Sequence, residues 1–156
     1  MTRAEMTLST PIGAVLHVCA DGGEIVACDF HARARARSTP VRDPLLREAR
    51  DQINAYFRKR LRRFDLPLAL HGPPFEVAVW ALVASLEVGE LISYGDVGRA
   101  LGRPRAHRTV ATAMRHSPYD LLIPAHRVIG ADSRIKGAGS NSLRRRLLAF
   151  EGITLH

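Results

Sequence analysis

Between residues 64 and 75 the chain reads FDLPLALHGPPF, and no other stretch limits the possible fold as much. Pro67, Pro73 and Pro74 lack the backbone N–H that a helix interior or a central strand requires, and Gly72 adds a conformationally free joint. A regular element does not run through such a segment, so the chain is expected to divide there. An N-terminal α+β unit is expected over 1–70, and a mainly helical unit over 71–156.

The two halves carry different periodicities. EMTLST, AVLHVCA and EIVACDF alternate in the manner of strands and are separated by Pro11-Ile12-Gly13 and Asp21-Gly22-Gly23, which predicts a small antiparallel meander. Asp43-Pro44 then offers an N-cap followed by proline at the first helical position, and Leu45, Leu46, Ala49, Ile53, Tyr56 and Phe57 recur at helical spacing. Such a helix can cover one face of a sheet too small to stand alone. Between them, Arg33, Arg35 and Arg37 alternate in HARARARS, as a solvated edge or an auxiliary phosphate-contacting strip.

Composition sets the partners. The 156 residues, 46% of them hydrophobic, are enough for a folded core. Lys and Arg number 23 against 15 Asp and Glu, giving a net charge of +8 and a pI near 10.7. Nucleic acid is the natural polyanionic partner for such a balance, although a GC-rich genome would also favour arginine. No apolar run reaches the roughly 18–20 residues that span a bilayer, and the start MTRAEMTLSTPIG shows no signal-peptide pattern. A cytoplasmic protein without membrane association is therefore expected. Cys19 and Cys28 lie in strand-like runs without CxxC spacing, which reads as reduced core thiols. No metal and no cofactor are expected.

The C-terminal half holds the functional signals. PFEVAVWALVASL predicts a buried helix around Trp80. Ser93 and Asp96 stand at capping-box spacing ahead of DVGRALG, which Gly102 ends. After Arg103-Pro104-Arg105 comes AHRTVATAMRHS, completing a helix-turn-helix pattern. Its small residues let a helix approach a narrow surface, while Arg105, Arg108 and Arg115 can hold phosphates. Further on, LLIPAHRVIG delivers His126 and Arg127 from an apolar run, with a methyl group, Ala125, directly before them.

Along essentially its whole length the chain resembles the O6-alkylguanine-DNA alkyltransferases. The resemblance runs through FDLPLALHGPPFEVAVW, SYGDVGRALG, the AHRTVATAMR helix, IPAHRVIG and the closing LLAFEG. It implies a fold with a small N-terminal antiparallel sheet and helix, followed by a mainly helical domain carrying a DNA-binding helix-turn-helix. In that family a cysteine stands where this chain has Ala125. Its thiol is activated through water by the adjacent histidine, matched by His126, which a glutamate, matched by Glu151, supports. A thiolate is the nucleophile such a displacement needs, and a methyl side chain cannot be alkylated. The chain therefore resembles the alkyltransferase-like proteins, which lack the cysteine, bind alkylated guanine and pass the lesion to other repair factors.

By matching position, the resemblance makes Arg108 the finger that fills the stack after base flipping and Tyr94 the residue that pushes the 3′ phosphate. Arg105, Ala106, Thr109 and Arg115 join them at the minor groove. The implied lesion pocket comprises Tyr94, Ser117, Pro124, Ala125, Val128, Gly137, Ala138, Gly139 and Ser140. Two departures stand out: Ser117 replaces the usual asparagine, and Gly137 falls where a tyrosine walls the alkyl pocket. The first puts the asparagine's hydrogen-bonded hinge in doubt, and the second, by losing the ring, implies a wider pocket. The implied partners are double-stranded DNA containing O6-alkylguanine and nucleotide-excision or mismatch repair proteins, with the protein itself a monomer and not an enzyme. Two alternatives stay open: a methyltransferase inactivated by a Cys-to-Ala substitution at 125, and a DNA-binding regulator without lesion preference.

Overall fold

The computed structural model describes residues 3–31, 41–130 and 143–153. Three strands, β1 (Ala4–Ser9), β2 (Val15–Asp21) and β3 (Glu24–His31), form an antiparallel sheet in the order β1-β2-β3. The pairing places Leu8 opposite Leu16, Met6 opposite Val18 and Glu5 opposite Cys19. Alternation then sends Met6, Leu16 and Val18 to one buried face. The helix α1 (Pro44–Phe57) contacts β1 and β2. Its start is as the sequence predicts: the Asp43 carboxylate accepts from the Leu46 N–H at 3.0 Å, with Pro44 at the first helical position. Leu46, Ala49, Ile53 and Tyr56 are its buried residues, and full burial of each large apolar side chain stabilises by about 1.5–3 kcal/mol.

The chain forms two compact units, Met1–Leu70 with Pro118–Leu122, and His71–Ser117 with Ile123–His156. In the first, the outer edge of β3 is paired by two short extended pieces. The proline-rich stretch read as a break contributes one: the Ile25 N–H donates to the Pro67 carbonyl at 2.8 Å and the Ala69 N–H to the Ile25 carbonyl at 3.0 Å. Pro67 has no donor, yet its carbonyl is enough for an edge. The second piece joins at Cys28, whose carbonyl accepts from the Asp120 N–H at 2.7 Å. The Tyr119 hydroxyl donates to the carbonyls of Ile25 and Ala69, so little of the β3 edge is left open to a foreign strand. Cys28 is buried in this core, and that burial pushes its thiol well above the ordinary range.

The second unit is mainly helical: α2 (Pro74–Ala84), α3 (Tyr94–Ala100), α4 (His107–Arg115) and α5 (Leu143–Phe150). Trp80 on α2 is buried and its indole N–H donates to the Ala113 carbonyl of α4 at 2.8 Å. His116 meets Glu76 at 3.0 Å across the same pair of helices. Two-residue strands β4 (Ile92–Ser93) and β5 (Val128–Ile129) pair in parallel, a link too short to leave a periodic signal. Among the described residues no helix is long and apolar enough to cross a membrane. The architecture is the expected α+β arrangement of a small antiparallel sheet and helix with a mainly helical partner unit.

Candidate functional site

The helix-turn-helix is built by a glycine. Ser93 caps α3 by accepting from the Asp96 N–H at 3.0 Å, and Asp96 pairs with Arg99. One turn on, a β-carbon on Gly98 would sit 2.6 Å from the Arg103 carbonyl oxygen and 3.7 Å from the Ala106 β-carbon. Only a residue without a side chain lets the turn fold back so tightly. The Arg103 N–H donates to the Gly98 carbonyl at 2.7 Å, and Gly102 ends the helix at φ +76°. Arg103 lies over the Phe75 ring, 4.6 Å from its centroid, which fixes the cation at the turn.

The turn presents α4. Val110, Ala113 and Met114 are buried, whereas Arg105, His107, Arg108, Thr109 and Arg115 are exposed and Ala106 is partly so. Ala106, at the N-cap, has no side-chain oxygen to accept from the first-turn N–H groups. Those donors and the positive end of the helix are thus available to an anion. Arg108 and Arg115 stand seven residues apart, on one face about 10 Å apart along the axis. Thr112 lies between them, bonded to the Arg108 carbonyl and to the Arg115 guanidinium, each at 3.1 Å. Tyr94, the first residue of α3, is buried.

The second cluster lies in the segment from Ile123 to Gly130, where every residue is buried except Ala125, which is partly open. Ala125–Arg127 form a single 3-10 turn that follows Pro124 and leads into β5. It aims His126 and Arg127 inward, each 1% exposed. His126 Nε2 meets Glu151 Oε2 at 2.6 Å. Arg127 grips the same carboxylate with two parallel bonds, Nε to Oε1 at 3.0 Å and Nη2 to Oε2 at 2.9 Å. Its Nη1 donates to the Leu86 carbonyl beyond the end of α2 at 2.7 Å. The sequence singles out Arg127 beside His126 in an apolar run but gives it no role; its grip on Glu151 and Leu86 supplies one.

Glu151 reaches the cluster because of how α5 ends. The Ile153 N–H donates to the Leu148 carbonyl at 2.9 Å and the Gly152 N–H to the Ala149 carbonyl at 3.0 Å, with Gly152 at φ +85°. This is the Schellman pattern. The Glu151-Gly152 pair is thus an ordinary helix end and a site element together.

Charge counting fixes the protonation state. One carboxylate already faces the permanent charge of Arg127, so a second cation in the same buried place would go uncompensated. Burial accordingly lowers the His126 pKa below its ordinary value, with Glu151 offsetting part of the effect. The neutral imidazole donates its Nε2–H to Glu151 and keeps an acceptor lone pair on Nδ1.

Of the other expected pocket residues, Ser117 follows the end of α4, while Pro124 and Val128 are buried on either side of the 3-10 turn. Gly137, Ala138, Gly139 and Ser140 lie outside the described residues, as do Arg33, Arg35 and Arg37.

Residues 74–153 match the family model for the DNA-binding domain of 6-O-methylguanine DNA methyltransferase, and residues 5–70 match that for its ribonuclease-like domain. The chain belongs to the O6-methylguanine-DNA methyltransferase family. The methylated-DNA–protein-cysteine methyltransferase of Mycobacterium tuberculosis is 41% identical over 98 residues, covering 63% of this chain and 59% of that protein's length. The crystal structure of the R37L variant of the M. tuberculosis O6-methylguanine methyltransferase superposes with a TM-score of 0.80 at 34% identity, over 96% of this chain and 93% of the other. The M. tuberculosis OGT protein in complex with DNA gives a TM-score of 0.77 at 33% identity, over 95% and 92%. Family membership places the chain among DNA-repair proteins with a DNA-binding domain.

Proposed function

We propose that this family member recognises O6-alkylguanine in duplex DNA, flips the base into its pocket and transfers no alkyl group. The carrying observation is Ala125. It is the one partly open residue of a buried segment whose next residue, His126, is held neutral on Glu151. At the place where the resemblance puts a nucleophilic sulfur, the chain offers a methyl group, and a methyl group displaces nothing.

The remaining machinery suits recognition. The uncapped start of α4 and the exposed Arg105 and Arg108 offer donors and charge to the phosphate backbone, and the solved relative in complex with DNA supports DNA as the partner. Arg108 fills the gap left by the flipped base, and Tyr94 helps turn the phosphate. Flipping costs a few kcal/mol of stacking and pairing, which the inserted arginine and the base pocket must offset. Glu151 and Arg127 keep a use without the sulfur, because together they hold the segment that floors this pocket. A lesion held but not repaired must be handed on, and nucleotide-excision or mismatch repair proteins are the class of recipient.

The test compares equilibrium binding to otherwise identical duplexes with and without one O6-methylguanine, followed by intact-protein mass measurement after incubation. Tighter binding to the lesion duplex with an unchanged protein mass is the expected result. Equal affinity for both duplexes, or a stoichiometric gain of one methyl group, would overturn the proposal.

A further inference from the structure

On the face of the N-terminal sheet opposite Leu16 and Val18, three side chains converge that no functional reading above uses. Glu5 on β1 stands directly across from Cys19 on β2, and His17 is two residues back along β2. His17 Nε2 lies 3.1 Å from Glu5 Oε2. The Cys19 sulfur lies 3.7 Å from the same oxygen and 3.6 Å from the same nitrogen.

These three separations are those of one face of a tetrahedron around zinc. With zinc bonded to sulfur at about 2.3 Å and to nitrogen and oxygen at about 2.0–2.2 Å, tetrahedral angles put nitrogen about 3.3 Å from oxygen and sulfur about 3.6 Å from either. A cross-strand ion pair between His17 and Glu5 would explain the first distance alone. The strand register sets Cys19 beside Glu5, where its S–H can donate to the same carboxylate oxygen, and the equal approach of the sulfur to the His17 nitrogen completes the triangle that a metal ion would fill.

We propose that Glu5, His17 and Cys19 form a three-ligand zinc site on the outer face of the N-terminal sheet. The donor set is soft sulfur, imidazole and carboxylate, which suits zinc rather than calcium or magnesium. Charge also balances: thiolate and carboxylate together neutralise a divalent ion, and the histidine binds as the neutral ring. Binding breaks the Cys19 S–H bond, forms the sulfur–zinc bond and releases the proton to solvent.

Access is available from outside. The Glu5 side chain is 54% and the His17 side chain 27% exposed, so solvent can complete the coordination shell above the buried sulfur. Arg3 is exposed and close to the same sulfur, so its side chain has room to turn into water and leave space for the metal. A neighbouring set, His17, Asp29 and His31, shares one ligand with the site, and the His17 and His31 rings stand edge to face with centroids 6.0 Å apart. That set lacks sulfur. The assignment to Glu5, His17 and Cys19 follows from the thiolate and from the three distances.

In this position the metal would tie β1 to β2. The ligands escaped the sequence pattern because they come from two strands at a spacing set only by register.

The experiment titrates the untagged full-length protein, stripped of metal with a chelator, with zinc chloride alone, and repeats the titration with cobalt(II) as a spectroscopic probe. One equivalent of zinc and a thiolate-to-cobalt charge-transfer band with tetrahedral visible absorption are expected. Glu5→Gln at an exposed position and His17→Gln at a half-buried one should each weaken zinc binding by at least about a hundredfold, the upper end of the effect of removing mere supporting groups around a metal. Cys19→Ala should abolish the charge-transfer band, and Cys28→Ala should leave it intact. Absence of uptake would overturn the site. So would uptake that Glu5→Gln and His17→Gln leave unchanged, or uptake lost with Asp29→Asn but not with Glu5→Gln.

Discussion

Replacing Glu151 by glutamine tests whether the buried carboxylate is the anchor of the His126–Arg127 segment. The wild-type carboxylate accepts from Arg127 twice and faces His126 at 2.6 Å, with each of the three side chains at most 2% exposed. An amide of the same shape keeps one acceptor oxygen but presents its NH2 group to a guanidinium. Arg127 is then a buried cation whose countercharge is gone. Removing one partner from such a pair costs about 3–5 kcal/mol. The retained acceptor and the Leu86 carbonyl, which still receives Nη1, place the expected loss near the lower end, about 3 kcal/mol. At roughly 2–4 °C per kcal/mol for a chain of this size, the thermal midpoint should fall by about 6–12 °C. Circular dichroism melts and urea titrations of the two proteins measure it. Adding Arg127→Met to Glu151→Gln removes the orphaned charge while the glutamine carbonyl still accepts from His126, so part of the loss should return. A single-variant cost below about 1 kcal/mol, the range of an exposed ion pair, would refute the reasoning. A double variant no more stable than the single one would refute it as well.

Four further outcomes are expected. The His126 pKa is depressed on folding, so its contribution to stability is present above the ordinary value of about 6.5 and is lost as pH falls through the folded-state value; His126→Asn should flatten the acid limb of urea-midpoint profiles by up to about one proton, and an unchanged slope would contradict the neutral assignment. Gly98→Ala should cost about 1–3 kcal/mol by forcing a β-carbon against the Arg103 carbonyl. Gly95→Ala, where the new carbon meets only the Arg99 side chain at 3.6 Å, should instead stabilise by about 0.5–1 kcal/mol, and urea denaturation of the two variants checks the opposite signs. Arg108→Ala should weaken binding to an O6-methylguanine duplex more than binding to an abasic duplex, measured by fluorescence anisotropy; equal losses would reduce Arg108 to a phosphate contact. Ala125→Cys returns a thiol beside His126, but a misplacement of about 1 Å costs on the order of a hundredfold in rate, so single-turnover methyl transfer should be slow. Transfer at the rate of an ordinary family enzyme would mean that the pocket was never remodelled.

Local chemistry made much of this fold readable. Asp43-Pro44 announces α1 because capping is written in adjacent residues, and Ser93 with Gly102 brackets α3 for the same reason. Glu151 was readable only through the family resemblance, since nothing near it in the chain signals a partner 25 residues away. What stayed hidden depends on tertiary contact. The two-residue strands β4 and β5 are too short to show alternation, and the pairing of Pro67–Ala69 with β3 runs against the breaking character of proline. Cys19 is a buried, reduced thiol like Cys28, as expected, but its sulfur lies on the opposite face of the sheet, beside Glu5 and His17, which only the strand register reveals. Nothing local distinguishes Gly98 from any other helix glycine, because the constraint on it comes from the Arg103 carbonyl in the space a side chain would occupy.

Ser93 belongs to two structures at once. It pairs with Ile129 as the last residue of β4 and caps α3 as the residue before its first turn. No spacer residue lies between the strand that holds the segment after Ala125 and the first helix of the helix-turn-helix. A junction of zero length has no hinge, so the helix-turn-helix and the strand that follows the Ala125 turn are oriented to one another before any DNA arrives. Less conformational freedom is then left to lose on binding. Discrimination between damaged and plain DNA should consequently appear in the lifetime of the complex, with the two duplexes captured at similar speed and the damaged one released more slowly.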